Sequence, residues 1–96
     1  MPKRDPAARA AFLSEFPLWR EVPGRDAIAR AFQFKDFSEA FAFVTRVALL
    51  AEKMEHHPEW TNVYAKLDIV LSTHEAGGVT EKDIAMAKAI EGIVRE

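Results

Sequence analysis

The residues best suited to chemistry in this chain are its three histidines, His56, His57 and His74. A neutral imidazole accepts a proton and an imidazolium donates one, both near pH 7. A lone histidine is more often structural than catalytic. Three gathered between positions 56 and 74 suit a reaction that only moves protons, such as adding or removing water at a heterocycle. His56-His57 precede Pro58, which cannot continue a helix. Adjacent residues at such a point face different directions, so the pair can flank an object from two sides. His74 is followed by Glu75 and by a flexible Ala76-Gly77-Gly78.

Three imidazoles could also hold zinc with an open fourth position. Neighbouring His-His is an awkward spacing for two ligands, however, and the proton-transfer reading is preferred. No Ser-His-Asp spacing stands out, and Gly77-Gly78 alone is no phosphate loop. Asp83 falls in the first turn of a predicted helix, where a carboxylate usually serves the dipole and the cap. Glu52 and Glu55 fall near the end of another predicted helix. They oppose its dipole there, which leaves room for a role beside the histidines. Ser72-Thr73 could offer backbone and hydroxyl hydrogen bonds to a flat polar ring, or simply terminate a strand. Trp60 and Tyr64 read more readily as strand core.

The elements that must position these groups can be read from periodicity and punctuation. Residues 6–15 predict an Ala-rich helix, with Asp5 as cap, Pro6 at the first helical position and Pro17 as stop. Trp19–Val22 and Ala27–Phe34 predict strands joined by a Pro23-Gly24 turn. In the second strand Ile28, Phe32 and Phe34 share a face, and Arg30 on that face is expected near a rim. Phe37–Met54 predicts the strongest helix, opened by Asp36 with Glu39 three residues on. Its polar residues span about 140° of arc, leaving about 220° apolar, whereas one sheet covers roughly 100° or a little more. The surplus predicts a second helix or another subunit over it, with Ala42, Phe43, Leu49 and Leu50 as candidates. Trp60–Tyr64 and Leu67–Thr73 predict a tight hairpin. Thr80 then caps a last helix carrying Ile84, Ala87, Ile90, Glu91, Ile93 and Val94. The order is helix, then strand-strand-helix twice. This is an α+β layout with helices on one face of a four-stranded, antiparallel sheet.

At 96 residues and 49% apolar composition, the chain is expected to form one domain over 1–96. Thirteen basic against 15 acidic residues give a net charge of −2, which argues against nucleic acid held by charge. There are no cysteines, which excludes disulfides and thiolate chemistry. No apolar run is long enough to span a membrane, and the N-terminal apolar stretch is too broken for a secretory signal. The expectation is a soluble, cytoplasmic protein.

Several stretches together resemble the pterin-4-alpha-carbinolamine dehydratases. They are Glu52-Lys53-Met54-Glu55-His56-His57-Pro58-Glu59-Trp60, Asn62-Val63-Tyr64 and Leu71-Ser72-Thr73-His74-Glu75. Upstream, Gly24-Arg25-Asp26-Ala27-Ile28, Phe34-Lys35-Asp36-Phe37 and Thr45-Arg46-Val47-Ala48-Leu49 are also similar. The resemblance covers roughly residues 19–95. Residues 1–18 match less well and are set apart as a variable segment. Thr61 and Ala65 stand where the family often has an aromatic residue and Asn. Ala65 suits positive φ poorly, so a different hairpin turn is expected.

The resemblance implies a four-stranded antiparallel sheet with three helices, assembled as homodimers or homotetramers. It implies dehydration of 4a-hydroxytetrahydropterin to the quinonoid dihydropterin, which recycles the pterin used by aromatic amino acid hydroxylases. No metal or organic cofactor is implied. His56, His57 and His74 match the family's catalytic histidines. Glu55, Ser72, Thr73 and Glu75 match its pterin-contacting stretches, and Asp83 and Glu52 match carboxylates at the site. The competing reading is an interaction module, because animal relatives also bind homeodomain transcription factors through a helix surface. A physical partnership with a hydroxylase is a further expectation.

Overall fold

In the computed structural model, which describes residues 3–94, three helices and four strands follow the expected order. Helix α1 spans Pro6–Glu15, β1 Arg20–Glu21, β2 Ile28–Gln33, α2 Phe37–Met54, β3 Glu59–Val63, β4 Lys66–Leu71 and α3 Glu81–Val94. Every pairing is antiparallel, and the sheet order is β1-β2-β4-β3. The second strand of each strand-strand-helix unit therefore lies at the centre.

Register decides which face meets the helices. Ile28 pairs with Leu71, Arg30 with Ile69 and Phe32 with Leu67, so these residues share one face. Alternation along β4 buries Leu67, Ile69 and Leu71 and exposes Lys66 and Asp68. The buried set packs with Val44 and Val47 of α2 and with Ile84 and Ile90 of α3 in one core. Phe12 of α1 joins it, 2% exposed.

The helix ends follow local chemistry. Asp5 accepts the Ala8 N–H at 3.0 Å, and Pro6 occupies the first turn. At α2, Asp36 Oδ1 accepts the Glu39 N–H at 2.9 Å, and Glu39 Oε1 accepts the Lys35 N–H at 2.9 Å. At the hairpin Val63 faces Lys66. Tyr64, rather than Ala65, takes positive φ, at 53°. Asn62 Nδ2 braces this turn by donating to the carbonyls of Tyr64 and Lys66.

Four expectations change. Trp60 and Tyr64 are not core: they are 38% and 66% exposed, Trp60 on the edge strand β3 and Tyr64 in the hairpin turn beyond it. The first strand shortens to Arg20–Glu21, because Trp19 turns into the core and its Nε1 donates to Glu91 Oε1 at 2.8 Å. The last strand ends at Leu71, since the Thr73 backbone N–H and carbonyl pair with Gly78 rather than with a neighbouring strand. Arg30 does not sit at a solvated rim. Its side chain is 12% exposed, pairs with Glu91 and lies over the Phe32 ring. A guanidinium can be enclosed this way when a carboxylate and an aromatic face replace its water.

Candidate active site

The end of α2 aims two adjacent histidines apart. Glu55 adopts a left-handed conformation, φ 53°, directly after the helix. Its N–H bonds to the Glu52 carbonyl, and the His56 N–H reaches back to the Ala51 carbonyl at 3.2 Å. This is the paired closure of a Schellman turn, with Glu in the place glycine usually takes. It sends His56 inward, 9% exposed, while the His57 side chain remains 65% exposed.

His56 meets the start of α3. Its Nε2 lies 2.6 Å from Asp83 Oδ1, and Asp83 is fully buried. The other oxygen, Oδ2, accepts the Thr80 N–H at 2.8 Å and the Thr73 hydroxyl at 2.7 Å. Asp83 thus serves as the reciprocal carboxylate of the helix cap, and the helix N-terminus favours its charge. A carboxylate offers only acceptors, so His56 Nε2–H is the donor in this pair. The Thr73 and Thr80 hydroxyls are 2.6 Å apart and complete the network.

His74 enters from the other side of Thr73 in the chain. It opens a short 3-10 turn over His74–Ala76, closed where Gly77 takes φ 70° and bonds back to the His74 carbonyl. The His74 side chain is exposed and has no hydrogen-bond partner among the described residues. His57 Nε2 lies 3.0 Å from Glu52 Oε1, with both side chains largely exposed.

Network contacts therefore link His56, Asp83 and Thr73, with His57 and His74 attached through the adjoining backbone. Glu52 joins through His57. Glu55 and Glu75 are exposed beside these groups in sequence. Ser72 spends its hydroxyl on the Asp26 carbonyl at 3.0 Å. Thr73, 1% exposed, and Asp83 face the network rather than the surface. Among the described residues, no three His, Asp or Glu side chains converge as metal ligands.

Two groups at this site were not singled out from sequence. Thr80 is read there only as a cap, yet its hydroxyl also bonds Thr73. Asp26 accepts the Val79 N–H at 3.2 Å and pairs with Arg9 and Arg4. The Val79 bond first, and the arginines with it, hold its carboxyl below the ordinary carboxylate range. Nothing local in the sequence marks a contact across so many residues.

The family model described as Pterin 4 alpha carbinolamine dehydratase matches residues 2–93. The chain belongs to this family. A Rhodopseudomonas palustris relative is 65% identical over 85 residues, covering 88% of this chain and 84% of its own. A Nitrobacter winogradskyi relative is 57% identical over 89 residues, covering 93% and 88%. Both carry the name pterin-4-alpha-carbinolamine dehydratase provisionally. A Brucella melitensis crystal structure, a transcriptional coactivator/pterin dehydratase, superposes with TM-score 0.87 at 46% identity, covering 95% of this chain and 97% of that one. A pterin dehydratase-like RuBisCO assembly factor of the alpha-carboxysome shares the fold, with TM-score 0.65 at 24% identity. Membership makes the chain a pterin dehydratase by class, a lyase. The family match also takes in α1, part of the segment set apart as variable.

Proposed function

We propose that the chain dehydrates 4a-hydroxytetrahydropterin to the quinonoid dihydropterin by proton transfer through its histidines. The reaction breaks the bond from C4a to its hydroxyl and removes a proton from the neighbouring ring nitrogen. A carbon–nitrogen double bond forms and water leaves. One group must donate to the departing hydroxyl and another must accept from the nitrogen. The observation that carries this reading is the His56–Asp83 contact of 2.6 Å, joined through Asp83 to Thr73 and Thr80. It fixes one imidazole and the backbone on which two exposed ones, His57 after His56 and His74 after Thr73, are carried. His57 and His74 are the groups that flank the hydroxyl, one of them as donor, and His56 orients or completes the relay. Glu55, Glu75 and the Ser72-Thr73 backbone hold the ring from its polar edge. Asp83 and the Thr73 hydroxyl act through His56, and Glu52 acts through His57.

The direct test is dehydration of synthetic 4a-hydroxytetrahydropterin followed by absorbance. Losing a placed acid or base costs about 10²–10⁴ in rate. His57→Ala and His74→Ala should each lose at least the lower figure and keep their circular dichroism, since both rings are exposed. Near-normal turnover in both folded variants would overturn the assignment. A chelator is expected to leave the rate unchanged.

The same reading places the protein in pterin recycling for an aromatic amino acid hydroxylase, in the cytoplasm, as a homodimer or homotetramer. Among the described residues no helix is long and apolar enough to cross a membrane. The interaction-module reading rests on a different feature. Phe37, Phe41 and Leu49 of α2 are 48%, 53% and 67% exposed. Spaced at helical intervals, they leave an apolar strip open to a second copy or to a foreign helix.

A further inference from the structure

The turn that carries His74 is tied down twice. Thr73 anchors it to the Asp83 network. A second set of contacts comes from the start of the chain. Arg4 Nη2 donates to the Gly77 carbonyl at 2.9 Å and to the Ala76 carbonyl at 3.3 Å. Arg4 Nη1 lies 2.9 Å from Asp26 Oδ2. Asp26 Oδ1 accepts the Val79 N–H, and the Asp26 backbone carbonyl accepts the Ser72 hydroxyl. Arg9 Nη1 holds Asp26 Oδ1 at 2.6 Å. The Lys3 carbonyl accepts the Glu81 N–H at 3.0 Å. Residues 72–81 are thus bonded at both ends and in the middle to the N-terminal segment and to Asp26.

Gly78 fits this arrangement. A Cβ placed on it would overlap the Arg4 guanidinium and the Asp26 carboxylate. Arg4 itself is 51% exposed, so core packing does not call for it. What it holds is a turn containing Gly77 and Gly78, the residues with the most backbone freedom to lose.

We infer that Arg4 and Asp26 are positioning residues that clamp the His74–Gly78 turn and so fix the His74 imidazole for the reaction. The catalytic half of this inference rests on the role given to His74 above. Positioning matters steeply, because a misplacement of about 1 Å can cost on the order of 10²-fold in rate. Partial loosening of an exposed turn is therefore expected to cost about 10-fold.

The test follows the turn and the reaction separately. In Arg4→Ala and Asp26→Asn, the His74 ring signals in a carbon-resolved NMR spectrum should shift or broaden while those of His56 stay in place. Exchange of the Val79 amide should accelerate. The kcat should fall about 10-fold with KM held within about 2-fold. Arg4→Lys keeps a cation beside Asp26 and should recover part of the loss. Arg4→Ala does not touch the core, so it remains informative if Asp26→Asn fails to fold. Unmoved His74 signals and unchanged Val79 exchange in folded Arg4→Ala would overturn the clamp, whatever the activity. Moved signals with a wild-type kcat would overturn its catalytic role. If His74→Ala itself keeps full turnover while Arg4→Ala moves the signals, the clamp stands and the role given to His74 fails.

Discussion

The Asp83 carboxylate is fully buried and accepts three hydrogen bonds. It accepts from His56, Thr73 and Thr80. Each buried donor left without a partner costs about 1–3 kcal/mol. Asp83→Ala should therefore lower the unfolding free energy by more than about 3 kcal/mol, read from urea midpoints. Glu75→Ala, an exposed change, should stay within about 0.5 kcal/mol. Equal effects from the two would show that the Asp83 network does not hold the structure. His56 is bonded into the interior, whereas the His57 and His74 side chains are exposed.

At the scale of elements, two turns are closed by a left-handed residue that carries a Cβ. The α2 closure uses left-handed Glu55, and the β3–β4 hairpin uses left-handed Tyr64. A residue with a Cβ in that conformation costs roughly 1–2 kcal/mol, and Asn bears it more easily. Tyr64→Asn should raise stability by up to about 1 kcal/mol, checked by thermal or urea unfolding. Asp26 ties the N-terminal segment to the loop before α3, and its pKa is depressed in the folded chain. Glu59, bonded by Arg25, is depressed as well. A depressed carboxylate stabilises the fold fully above its unfolded pKa, near 4, and that contribution is lost as pH falls through the lower folded value. The urea midpoint should thus decline below about pH 4, and Asp26→Asn should flatten that decline. A variant with the same acid slope as wild type would contradict the assignment.

At the scale of the whole molecule, the apolar residues of α2 expected to face another subunit divide in two. Phe43 is 7% exposed and packs with Phe32 and Phe34 in its own core, with ring centroids 5.0 and 5.2 Å away. Ala42 is exposed, and Leu50 leans partly on the core. Leu49 stands free with Phe37 and Phe41. Burying one Phe or Leu side chain contributes roughly 1.5–3 kcal/mol, so a few used twice in a symmetric contact could hold an oligomer at micromolar concentration. If the proposed homo-oligomer uses this strip, Leu49→Asp should sediment as a monomer with its helicity retained. Phe43→Asp should unfold the subunit. A wild-type protein that sediments as a 10.8 kDa monomer at tens of micromolar would refute the idea.

Much of this architecture was legible because it is encoded locally. Asp5-Pro6, Asp36 with Glu39, and Thr80 with Asp83 mark helix starts through bonds three residues long, and α1 and α2 fall where those signals put them. Alternation in Leu67, Ile69 and Leu71 determined which face of β4 is buried, since side chains along a strand alternate with period two. The clustering of His56, His57 and His74, with the resemblance around them, pointed to the family. Long-range pairing was beyond such signals. The central β2–β4 contact, the enclosure of Arg30 by Glu91 and Phe32, and the union of Asp26 with Arg4, Arg9 and Val79 join residues far apart in the chain. Residue type alone does not say which carboxylate meets which arginine, because the partners are chosen by the packing of whole elements. Phe43 and Leu49 show both sides of this within one helix. At 100° per residue Leu49 falls about 120° from Phe43, between Ser38 and Lys53 on the polar side, so spacing alone already sets the two apart. Only the docking angle of α2 on the sheet decided that Phe43 meets Phe32 and Phe34 while Phe37 and Phe41 stay exposed.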